Sequence, residues 1–248
     1  MVAKLLRRSA IAGFALLSLE AAYAVLRPAP ILQQFDPSAE FGDPWSPPLR
    51  MVVLGDSSVT APGVSRPDEI WVSLICQRIA ETRHVLLRSL AVGGATALDL
   101  IIDQLDEAIA FQPDLALVSV GANDAIKGVP LRRFTSELDV VTGELAATGA
   151  KVILSGVGVL GTIPRLYPPL STLMSRRAER FDRVHWEVAR RHGAAVIDHR
   201  SDDHRIWYTD RSLWAEDLFH VSAAGHARWA ETAWRTVGPL VNGSDGPG

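Results

Sequence analysis

The stretch M-V-V-L-G-D-S-S, residues 51–58, decides how the rest of the chain is read. An apolar, β-branched run stops at Gly55, and an acid and two hydroxyls follow. A short continuous apolar run closed by glycine fits a strand buried on both faces, and such strands belong to parallel sheets covered by helices. The segments downstream should then alternate between the two. V-L-L-R-S-L (85–90), L-A-L-V-S-V (115–120), K-V-I-L-S (151–155) and A-A-V-I (194–197) are runs of the same kind. Between them Leu98, Ile101, Ile102, Leu105 and Ile109 recur at helical spacing, as do Leu131, Phe134, Leu138, Val141 and Leu145. Phe181, Val184, His185 and Val188 mark another helix, and residues 223–237 the last. The pattern predicts a flavodoxin-like three-layer α/β/α sandwich around a central, mostly five-stranded parallel sheet. In such sheets ligands bind at the carboxyl ends of the strands.

Working outward, the 248 residues are 48% apolar, enough for one packed α/β domain, expected over 50–240. A net charge of −3, with Lys and Arg scattered among Asp and Glu, provides no basic stripe for phosphates and argues against nucleic acid. Cys76, the only cysteine, lies in W-V-S-L-I-C and reads as a buried structural thiol. Residues 25–49 carry Pro28, Pro30, Pro37, Pro44, Pro47 and Pro48 and read as an extended lead-in whose Phe35, Phe41 and Trp45 lie against the domain. Residues 241–248 read as a disordered tail.

Residues 1–24 resemble an export signal. Lys4, Arg7 and Arg8 precede an apolar stretch from Ala10 to Leu19, and Ala22-Tyr23-Ala24 has the small residues a signal peptidase favours. A cleaved signal is preferred because Glu20 interrupts the apolar run; an uncleaved anchor is the alternative. The protein is accordingly expected to be exported, secreted or associated with the cell envelope, with membrane association through the N-terminal segment if that segment is retained.

Four stretches at strand ends have the residue types of acyl-transfer chemistry. Ser57 and Ser58 follow the first strand, where a hydroxyl can face a ligand beside unpaired backbone N–H groups, although Asp56 or Ser57 could equally cap a helix. Asn123, in G-A-N-D (121–124), can donate to an oxyanion without titrating, or can make an Asx-turn. Gly93 and Gly94 can expose an N–H to a ligand or form an ordinary turn. Asp217 stands three residues before His220, where a carboxylate can fix the tautomer of an imidazole base.

Taken together, in order and at strand ends, these stretches resemble the SGNH hydrolases, or GDSL esterase/lipase family, over about residues 50–240. The resemblance implies Ser57 as nucleophile, Asp217 and His220 as its partners, and Ser57, Gly94 and Asn123 as oxyanion donors, with Gly93 the neighbouring alternative. It implies an esterase cleaving carboxylic esters of short to medium acyl chains through an acyl-enzyme, with no cofactor or metal. Its substrate would be a small-molecule or lipid ester, and no protein partner is implied. Lysophospholipid, thioester and O-acetyl-glycan hydrolysis use the same groups, and a non-catalytic lipid or carbohydrate binder is the reading from another class. The chain departs from the pattern at Ser58, usually leucine, and at Val221, commonly proline.

Three further signals are set aside. G-V-G-V-L-G (156–161) follows a strand, but Pro164, Pro168 and Pro169 forbid the long helix a dinucleotide loop needs, and an apolar wall for an acyl group is expected instead. Asp198 to His204 reads as a surface loop with solvated charges rather than a metal cage. His226 reads as a capping or packing residue.

Overall fold

The computed structural model describes residues 13, 15–24, 26–200 and 205–243. Its sheet has six strands, β1 (Ala39–Phe41), β2 (Pro48–Gly55), β3 (His84–Ser89), β4 (Leu115–Ser119), β5 (Lys151–Ser155) and β6 (Ala195–Ile197), in the order β1-β3-β2-β4-β5-β6. β2 to β6 are parallel, as the apolar runs predict. The sixth strand comes from the proline-rich lead-in, where β1 pairs antiparallel with the edge of β3. Only three residues pair there, between Pro37 and Gly42, too few for the sequence to announce a strand.

Side chains alternate across the sheet and feed two cores. Val52, Leu54, Ala116 and Val118 face helices α3 (Leu131–Ala147) and α4 (Leu170–His192), while Met51, Val53, Leu115 and Leu117 face α2 (Trp71–Ile79) and α5 (Ala223–Asn242). The first short helix, α1 (Ser57–Thr60), starts directly from β2. Cys76 is buried and unpaired, with its sulfur 3.8 Å from Met51, and burial pushes its thiol up.

The helical stretch after β3 differs from expectation. A π turn at Leu100–Gln104 separates Ala97–Asp99 from Leu105–Ala110. The wider turn rotates the apolar stripe, so Ile102 faces solvent while Leu100 and Gln104 are buried. The last helix continues to Asn242, and the remainder of the expected tail, 244–248, lies outside the described residues.

The expectation of membrane association through the N-terminal segment, and with it of a membrane-anchored protein, is corrected. Among the described residues no helix is long and apolar enough to cross a membrane. Glu20 lies within the helical residues 15–24 and accepts a hydrogen bond from the Leu170 N–H at 3.0 Å, and the Tyr23 ring lies 6.3 Å from that of Tyr167. The segment runs along the protein's own surface. Lys4, Arg7, Arg8 and residues 10–12 and 14 of the apolar stretch lie outside the described residues.

Candidate active site

The strand order reverses between β2 and β4, and a crevice opens there at their carboxyl ends. It contains a cavity of about 140 Å³ lined by Ser57, Asn123 and His220. That is room for a small organic group or on the order of ten waters.

Asp56 caps α1, accepting the Ser58 N–H on Oδ1 at 2.9 Å, and its Oδ2 accepts from Asn123 Nδ2 at 2.8 Å. One buried carboxylate thus ties the turn after β2 to the turn after β4. Burial pushes Asp56 above the usual carboxylate range. Gln104, from the π turn, grips the end of β2: its Nε2 donates to the Gly55 carbonyl at 3.0 Å and its Oε1 accepts the Gly55 N–H at 2.9 Å. The two hydroxyls that the sequence leaves in competition have different fates. Ser58 Oγ lies 2.7 Å from Ser119 Oγ, whereas the Ser57 hydroxyl and N–H have no hydrogen-bond partner among the described residues.

Asp217 and His220 come from a loop outside the sheet. The Asp217 Oδ2 lies 2.6 Å from His220 Nδ1, and its Oδ1 accepts the N–H groups of Phe219 and His220, each at 2.9 Å. Burial alone would raise this carboxyl, but the ring and backbone hydrogen bonds outweigh it and hold it at about 2. An ionised Asp217 keeps the ring proton on Nδ1, which leaves the Nε2 lone pair available as a base. His220 and Ser57 line the same cavity without a hydrogen bond between them; such contacts commonly tighten only around substrate.

Of the three expected oxyanion donors, Ser57 and Asn123 line the cavity and Gly94 does not. Gly94 has φ +85°, its N–H has no partner among the described residues, and its carbonyl accepts from Lys127 Nζ at 2.7 Å. A side chain at neighbouring Gly93 would collide with Gln34 of the lead-in, whose Oε1 accepts from the Thr60 hydroxyl. Asn123 spends its second N–H on the Ala95 carbonyl at 3.1 Å.

Arg165 carries no motif, yet it is 8% exposed. Its Nη1 donates to the Asp217 carbonyl at 3.0 Å and its backbone N–H to the Leu218 carbonyl at 3.1 Å, bracketing Leu218 at φ +60°. Its Nε donates to the Ala24 carbonyl at 2.6 Å, and its Nη2 donates to that of Arg27.

The 156–161 loop enters no long helix, and its Gly156 N–H donates to the Ile197 carbonyl while Val157 and Gly158 donate theirs to Asp182, so these three are not open to a phosphate. Val157, Val159 and Leu160 line the cavity, as an apolar wall should. The surface-loop expectation for 198–204 is corrected at its start. His199 lines the cavity with Nε2 3.0 Å from Ser155 Oγ, and Arg200 pairs with Asp182; residues 201–204 lie outside the described residues. His226 does pack, against Trp71 and Trp229, but it also reaches the cavity. Among the described residues no cluster of metal ligands is present.

A family model, described as the GDSL-like Lipase/Acylhydrolase family, matches residues 53–228. Esterase TesA of Pseudomonas aeruginosa is 25% identical over 198 residues, spanning 77% of this chain and 89% of that protein. A GDSL-like esterase of Mycobacterium tuberculosis is 26% identical over 191 residues, 74% of this chain and 60% of that protein. Among solved structures, that of TesA superposes with a TM-score of 0.65 at 25% identity, covering 77% of this chain and 99% of its own. An acetylxylan esterase from Geobacillus stearothermophilus, at 19% identity, TM-score 0.62 and coverage of 77% and 94%, shares the fold.

Proposed function

Because the chain belongs to the GDSL-like lipase/acylhydrolase family, we propose that it cleaves carboxylic esters with Ser57 as nucleophile, His220 as base and Asp217 as the group that holds the base. The chain is an ester hydrolase of the serine type. The observation that carries the residue assignment is the Asp217–His220 pair at 2.6 Å facing the cavity where Ser57 keeps its hydroxyl uncommitted. Ser57 Oγ attacks the acyl carbonyl as His220 Nε2 takes its proton, and the resulting imidazolium is stabilised by Asp217. The tetrahedral oxyanion is met by the Ser57 N–H and by Asn123 Nδ2 once it releases Ala95, with the Gly94 N–H, which has no partner among the described residues, as the third donor. His220 then protonates the leaving alcohol, and water frees the acyl-enzyme by the same steps. The small cavity and its Val157–Leu160 wall favour short to medium acyl chains.

The test is the Ser57→Ala variant on a simple aryl ester. Turnover should fall by about 10⁴-fold or more while the melting curve is unchanged. Near-native turnover in that variant defeats the assignment.

A further inference from the structure

The cavity has a second polar surface that the chemistry above does not use. Ser58 stands where the family usually carries leucine, and its hydroxyl pairs with Ser119. Ser119 and Ser155 are direct partners in the register of β4 and β5, which sets their side chains next to each other at the strand ends, and Ser155 in turn pairs with His199. His226, only 1% exposed, accepts the Trp71 N–H on Nδ1 at 3.4 Å. Its Nε2 has no hydrogen-bond partner among the described residues, and burial pushes the ring down to about 3, so it is neutral with its proton on Nε2. All five residues line the cavity that Ser57 and His220 line, as do Trp71 and Trp229.

A ligand that displaces water from this cavity leaves the His226 N–H without a partner, and the remaining lone pairs of the paired serine hydroxyls unhydrated, unless the ligand supplies polar groups of its own. An alkyl chain supplies none. Among the described residues Asp56 is the one carboxylate lining the cavity and has both oxygens occupied, and no Lys or Arg lines it, so an ionic group finds no counter-charge among them. A hydroxyl both donates and accepts, which matches the serine pairs and the His226 N–H together. Resting on the serine esterase reading, we propose that Ser58, Ser119, Ser155, His199 and His226 form a specificity site for an uncharged, hydroxyl-bearing group on the ester. The group can belong to the acyl or the alcohol part of the substrate.

Two substrate pairs separate those sources. Aryl 3-hydroxybutyrate against aryl butyrate reads the acyl side, and glycerol monobutyrate against propyl butyrate reads the alcohol side. In the native protein one pair should favour the hydroxylated member in kcat/KM by about tenfold or more. In Ser58→Leu and in His226→Phe that ratio should collapse towards one, which a general defect in folding or in the triad would not cause. Ser155→Ala reads the same ratio should a bulkier variant fail to fold. Equal rates within both pairs, or a preference that survives the substitutions, overturns the proposal. Turnover persisting in Ser57→Ala would defeat the serine reading instead, and leaves the ratio measurable.

Discussion

The two halves of the site are held in place by different means. Ser57 leaves a strand with neighbours on both sides, β3 and β4, and Gln104 grips the last residue of that strand. Asp217 and His220 sit in a loop closed by one antiparallel bridge, Trp214 with Val221, and bracketed by Arg165. Backbone regularity places Ser57, and side chains from distant parts of the chain place His220. The carboxylates differ in the same way. Burial comes first at Asp56 and Asp124 and raises both, whereas hydrogen bonds prevail at Asp217 and lower it. A site can therefore be rigid on one side and contingent on the other, and substitutions should tell the sides apart.

The largest effect is expected on the contingent side. Arg165→Ala leaves the Asp217 carbonyl without its donor and frees a strained residue, so about 2–4 kcal/mol of stability should be lost. The kcat for an aryl ester should fall by about tenfold or more as the base wanders from Ser57. Native kinetics in that variant would mean that the loop holds its own shape. A smaller effect is expected from Gln104→Leu, where the Gly55 N–H is orphaned but its carbonyl keeps the Val92 N–H at 3.1 Å. Urea unfolding should show a loss of about 1–3 kcal/mol.

The smallest effect concerns pH. Asp124 is fully buried, with burial the leading cause of a carboxyl pushed up to about 6 from 3.8, only partly offset by the Ala97 N–H. Its contribution to stability is complete below pH 3.8 and is lost as pH rises through about 6. Asp124→Asn should therefore be more stable than the native chain by about 1–2 kcal/mol at pH 7, with the advantage fading towards pH 4. Asp217 runs the other way, with a contribution present above pH 3.8 and lost as pH falls through about 2. Parallel unfolding curves for Asp124→Asn and the native chain across pH 4–7 would contradict the contrast.

The rigid side was also the legible one. The five parallel strands follow from apolar runs because a strand buried on both faces must be apolar at every position. Ile102 was misplaced because periodicity assumes 3.6 residues per turn and the π turn breaks it. Ser57 and Ser58 competed as adjacent hydroxyls, and only the resemblance favoured Ser57; in the fold the Ser58 hydroxyl pairs with Ser119 while that of Ser57 stays uncommitted among the described residues. Gln104, Arg165 and His226 had no motif because their roles come from contacts 49, 52 and 155 residues away. The available signals were faint: a lone amide among apolar residues at 100–105, and an arginine between Ile163 and Leu166. Gly94 was expected at the cavity and lies away from its lining, in a turn whose carbonyl accepts from Lys127 Nζ.

The central claim is that Ser57 is activated by the Asp217–His220 pair. It is tested most directly by reacting the native protein with a fluorophosphonate probe and mapping the modified peptide. The account predicts a single adduct on Ser57, lost in Ser57→Ala and greatly slowed in His220→Ala. An adduct on Ser58, or no reaction in a protein that still hydrolyses esters, would contradict it.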